Sequence, residues 1–91
     1  MSKGIPPSVS KLAKSESIDV TVRIGREGVT EALLSELSEQ LSRRRLIKVK
    51  ANKGTASDRY HRKEIFYEIA EKSSSTIVFQ RGNVAVFWSG K

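Results

Sequence analysis

The side chains best placed to do chemistry in this 91-residue chain are its cations. From Arg43 to Lys63 there are nine of them: Arg43, Arg44, Arg45, Lys48, Lys50, Lys53, Arg59, Arg62 and Lys63. Asp58 is the one acid in that stretch, so the segment carries +8 of a whole-chain charge of +7, and the remainder sits at −1. Charge concentrated in this way favours a polyanionic partner, nucleic acid or an anionic membrane face, over a solvated face, the usual fate of a charge run, because generally basic solvation would spread it. Lys48 and Lys50 alternate with Ile47, Val49 and Ala51, so as a strand they share one face and hold their charges together. Arg59, Arg62 and Lys63 crowd the first turn of a helix that Asp58 can cap. Cations there oppose the helix dipole by roughly 0.3–1 kcal/mol each, an arrangement that stability alone does not favour and that a bound phosphate offsets.

The second feature is the loop Gly25-Arg26-Glu27-Gly28. It lies where a strand hands over to a helix, so its backbone N–H groups and the helix N-terminus face the same way and suit phosphate oxygens. Glycine on each side permits close approach and positive φ. A G-x-x-G loop clamps nucleotide backbone in KH domains. A tight β–α turn explains the same four residues without any ligand, and acidic Glu27 opposes phosphate unless it turns away or pairs with Arg26.

Other chemistries find little support. The chain has no cysteine, which excludes disulfides and thiolate metal sites, and its single histidine, His61, has no companion at ligand spacing. Glu64, Glu68 and Glu71 read as a solvated helix face, with Glu68 and Lys72 as an i,i+4 pair. No paired-carboxylate site, nucleophile constellation or P-loop is evident. The expectation is no catalytic residue, no metal and no cofactor. Apolar runs such as Val84 to Trp88 are too short to span a bilayer, and no apolar leader opens the chain.

The elements that must position these residues follow from periodicity. Ile18 to Ile24 alternates as a half-buried strand. Thr30 caps a helix whose stripe is Val29, Leu33, Leu34, Leu37 and Leu41, ending at Arg43–Arg45, where cations suit the dipole. Leu46 to Ala51 is a second strand, 52–57 a loop, and Asp58 opens a second helix to Lys72 with Ile65, Phe66, Ile69 and Ala70 inward. Thr76 to Gln80 and Val84 to Trp88 are strands joined by a tight turn at Gly82-Asn83. The order β-α-β-α-β-β predicts an α/β sandwich of two layers, with a four-stranded mixed sheet and the helices on one face. Residues 18–91 form this domain. Residues 1–17, with Pro6 and Pro7, are a flexible or partly helical segment, a short helix over Ser10–Ser17 using Val9, Leu12 and Ala13. One of Phe87 and Trp88 must face away from the helices. Tyr60, Tyr67, Phe66, Phe79, Phe87 and Trp88 could stack on bases; most read better as core, and Tyr60 is the best candidate to touch RNA.

The run I-G-R-E-G-V-T-E-A-L-L-S-E-L, followed by L-I-K-V-K, resembles the YhbY-like CRM domain (chloroplast RNA splicing and ribosome maturation), over about Ile18 to Trp88. The resemblance implies a fold like the C-terminal domain of translation initiation factor three. It also implies RNA binding, association of stand-alone members with large-subunit precursors, and a role in group II intron splicing for larger plant relatives. Gly25, Arg26, Glu27 and Gly28 match that family's G-x-x-G loop, and Lys48 and Lys50 its basic strand. Glu27 and the proline- and serine-containing N-terminus depart from the pattern. The expected function is therefore a cytoplasmic, monomeric RNA-binding protein acting on ribosomal RNA or pre-ribosomal particles. The competing reading is a protein-interaction module whose basic face docks on an acidic partner. DNA binding ranks third, since no helix-turn-helix is present.

Overall fold

Alternation and stripe turn into structure largely as expected. The computed structural model describes residues 4–15 and 17–90. In chain order the elements are α1 (Pro7–Ala13), β1 (Val20–Ile24), α2 (Glu31–Arg43), β2 (Leu46–Ala51), α3 (Arg59–Lys72), β3 (Thr76–Arg81) and β4 (Val84–Trp88). Both expected N-caps form: the Thr30 hydroxyl accepts from Leu33 N at 3.1 Å, and Asp58 Oδ1 accepts from His61 N at 2.8 Å.

The four strands make one sheet in the order β1-β2-β4-β3. β1 and β2 are parallel, while β4 runs antiparallel to both β2 and β3. β1, β2 and β3 therefore share one direction, with β4 inserted between the last two. In the hairpin turn Gly82 takes φ 59° and Asn83 does not go positive, a demand that glycine meets without strain. The register slips at two places, between Val20 and Val22 on β1 and between Ile77 and Phe79 on β3.

α2 and α3 cover one face. Leu33, Leu37, Leu41, Ile65, Phe66 and Ile69 meet Val22, Ile24, Ile47, Val49, Ala85 and Phe87 there. Phe66 and Phe87 pack edge to face at 6.2 Å. Trp88, one residue further along the pleat, points to the other face, which α1 partly covers: Val9 and Ala13 join Leu46, Val86 and Trp88 in a second cluster. The N-terminal helix thus forms at Pro7–Ala13 and not over Ser10–Ser17, because Pro7 presets φ for a first turn. Leu12, expected on its apolar side, is 44% exposed, since i,i+4 spacing pairs Val9 with Ala13. Glu16, inside the expected helix, and residues 1–3 of the expected N-terminal segment lie outside the described residues.

Candidate functional site

Because β1, β2 and β3 are co-directional, the segments that follow them emerge at one end of the sheet. These are Gly25–Gly28, the loop 52–57 and the turn Gly82-Asn83. Open α/β sheets bind ligands outside such carboxyl ends. Hydrogen bonds tie the three into one platform. Ile24 O accepts from Asn52 N at 2.9 Å and from the buried Thr55 hydroxyl at 2.8 Å. Ala51 and Asn83 exchange bonds, Ala51 N to Asn83 O at 2.7 Å and Asn83 Nδ2 to Ala51 O at 3.1 Å. Arg62 Nε donates to Gly82 O at 3.0 Å, which ties the first turn of α3 to the hairpin.

The Gly25–Gly28 loop is closed by Gly28 N donating to Gly25 O at 3.0 Å, with Gly28 at φ 72°. A Cβ added at either glycine would meet no atom within 4 Å, so the loop presents bare backbone to solvent. Arg26 arches over the neighbouring loop, where its Cγ and Nε would lie 3.8 and 3.7 Å from a Cβ on Gly54. Glu27 is exposed and makes no ion pair with Arg26. Both helices start at this end, so their positive termini reinforce the cations. Grooves run between Lys53, Gly54, Arg62 and Asn83, and between Arg59, Tyr60, Lys63 and Gln80.

Of the expected site residues, the platform gathers Gly25, Arg26, Glu27, Gly28, Lys53, Arg59, Tyr60, Arg62 and Lys63. Lys50 stands at the platform end of β2 and Lys48 one pleat behind it, both half-buried on the face opposite α2 and α3. Arg43, Arg44 and Arg45 do not join them. They precede β2 and sit at the other end of the sheet, a six-residue strand away. There Arg43 faces Glu39 at 4.0 Å, and Arg45 O accepts from Ser89 N at 3.2 Å. Chain adjacency to Lys48 is what grouped these arginines with the platform; a strand about 17–20 Å long separates them.

The platform cations pair with no carboxylate among the described residues. Acids find partners elsewhere, as Glu68 does with Lys72 at 2.9 Å, a hydrogen bond that raises the Lys72 pKa above its ordinary value. His61 serves the loop structurally: its Nδ1 accepts from Ser57 N at 3.3 Å. No group of His, Asp and Glu side chains among the described residues could hold a metal ion.

Arg23 and Arg81 were not among the expected site residues. Alternation already put Arg23 outward, but its neighbours depend on strand pairing. Tyr67, one of the six rings read as able to stack on bases though most as core, is 56% exposed, and Tyr60 is 72% exposed. Seven residues is close to two helical turns, so both rings lie on the outer side of α3, away from Phe66 and Ile69. Lys63 Nζ lies 5.8 Å from the Tyr67 ring centre, and the Arg59 guanidinium 5.8 Å from that of Tyr60.

Comparison with known proteins gives matches to a family model and to solved structures. The family model for the CRS1 / YhbY (CRM) domain matches residues 11–89. A solution structure of the hypothetical protein SAV1595 from Staphylococcus aureus, described there as an RNA-binding candidate, is similar at 25% identity and a TM-score of 0.71, covering 87% of this chain and 81% of that one. A search of curated proteins found no match.

Proposed function

This chain belongs to the CRS1 / YhbY (CRM) domain family, and from that premise we propose that it binds RNA through the platform at the carboxyl ends of β1, β2 and β3. The ligand in this reading is ribosomal RNA or a large-subunit precursor, met by a monomer in the cytoplasm. The observation that carries it is the convergence of a bare Gly25–Gly28 backbone, two helix N-termini and cations that pair with no carboxylate. Each of these favours phosphate, and the fold brings them to one end. The similar structure from Staphylococcus aureus supports the same ligand class. Lys48 and Lys50 extend the field onto the sheet. No catalytic step is assigned.

The test is binding to large-subunit ribosomal RNA fragments across a salt series, with Arg26→Ala and Lys48→Ala/Lys50→Ala beside the parent. Each phosphate neutralised contributes about 0.7–0.9 to the slope of log K against log salt. The expected result is weaker binding and a shallower slope for both variants. Variants that bind like the parent, with weak salt dependence throughout, would move the reading to an acidic protein partner.

A further inference from the structure

Strand pairing places three cations in one line. Arg23 is opposite Lys50, Lys50 is opposite Val84, and Val84 is opposite Arg81. This row crosses all four strands. At about 4.8 Å between neighbours it spans roughly 14 Å. Its face is fixed by Val86 and Trp88, which alternate with Ala85 and Phe87 and pack towards α1. Lys48, opposite Val86, lies on the same face one step nearer α1. We infer that this face of the sheet, at the end beyond α1, is a second track for an RNA backbone, with Arg23, Lys50 and Arg81 on successive phosphates and Lys48 alongside. The inference rests on the RNA-binding reading and adds to it a surface on the opposite side of the sheet from α2 and α3.

Charge is segregated across the sheet. The four strands and α1 contain no Asp or Glu, whereas α2 and α3 carry Glu31, Glu36, Glu39, Glu64, Glu68 and Glu71. Arg23 and Lys50 are immediate cross-strand neighbours, and like charges so placed destabilise a sheet. No carboxylate among the described residues pairs with Arg23, Lys48, Lys50 or Arg81. A line of charge with no enclosing cavity fits an extended polyanion better than a small anion. Position joins the track to the platform at both edges of the sheet. Arg23 stands two residues before Gly25, and Arg81 immediately before Gly82. An RNA strand held at the loops can therefore continue over the end of the sheet onto this face.

The experiment compares the full chain with Arg23→Gln/Arg81→Gln and with Arg26→Ala, binding large-subunit ribosomal RNA fragments over a salt series. Glutamine keeps the stems and removes the charges. The double variant should lose about 1.4 from the salt slope, two phosphates at about 0.7 each, with its melting temperature unchanged or raised. If its slope matches the parent's while Arg26→Ala is shallower, RNA stays on the platform and the track is refuted. If Arg26→Ala also matches the parent, the RNA-binding reading falls and the track with it. The chain has no cysteine, so a photo-crosslinker can be attached at one chosen position. From Val84→Cys, in the middle of the row, it should mark RNA strongly, and from Ser38→Cys on α2 weakly. Equal marking would overturn the proposal.

Discussion

Replacing Gly25 by alanine should raise stability and lower RNA affinity together. Gly25 is not among the glycines at positive φ, and an added Cβ meets no atom within 4 Å. The folded state therefore accepts Gly25→Ala without strain. The unfolded chain loses freedom, which stabilises the protein by about 0.4–1 kcal/mol, a few degrees of melting temperature for a domain this size. Gly28→Ala is the contrast: at φ 72° a side chain costs about 1–2 kcal/mol, and the melting temperature should fall by roughly 5–15 °C. If a phosphate rests on the loop, the new methyl at Gly25 stands between it and the backbone donors. Losing one hydrogen bond to a charged group costs about 1.5–3 kcal/mol, or roughly ten- to hundredfold in affinity. Thermal melts and RNA titrations at one fixed salt concentration on the same samples read both quantities. A more stable Gly25→Ala that binds RNA as tightly as the parent would show that the bare loop is a turn and nothing more.

Three other perturbations separate the parts of the site. Thr55→Val removes the buried hydroxyl bond to Ile24 O, and a loss of about 1–2 kcal/mol with weaker RNA binding is expected; unchanged melting and binding would mean the loop is held by its backbone alone. Tyr60→Leu should weaken binding to single-stranded RNA by about 1–3 kcal/mol while Tyr60→Phe holds it, if the exposed ring stacks on a base; equal affinity for all three in titrations would remove Tyr60 from the interface. Val9→Asp puts a charge into the cluster under α1, so Trp88 fluorescence should shift to the red as the helix leaves; an unshifted spectrum would mean that Trp88 stays covered without α1.

Much of the framework was legible because local signals agreed. The alternation Val22-Arg23-Ile24, the stripe Leu33-Leu37-Leu41, the caps Thr30 and Asp58, and the Gly82 turn each have a short-range cause, whereas the slip before Val22 puts Val20 opposite Lys48 and leaves Ile18 packed with the cluster under α1. What escaped depends on long-range pairing. Nothing near Arg81 shows that β4 will lie between β2 and β3, so its place in line with Lys50 and Arg23 was invisible. Sequence adjacency did not show that Arg43–Arg45 lie at the other end of the sheet from the platform, since a strand moves its two ends apart even as the chain stays continuous. Tyr67 follows a fully buried Phe66, and on α3 a single step turns a side chain from core to solvent.

The two register slips reach beyond pairing within the sheet. They fall on β1 and β3, the two edge strands, and on neither inner strand. An open edge is a template on which another chain can add a strand, and a straight run of free N–H and C=O groups is what makes it effective. A bulge bends the strand and increases its local twist. The border formed by β1 is therefore broken near its start and that formed by β3 near its middle, which leaves short aligned runs at both. Strand addition is hindered at both borders by backbone geometry, so the charges of the sheet face and the loops are not needed to block edge-to-edge pairing.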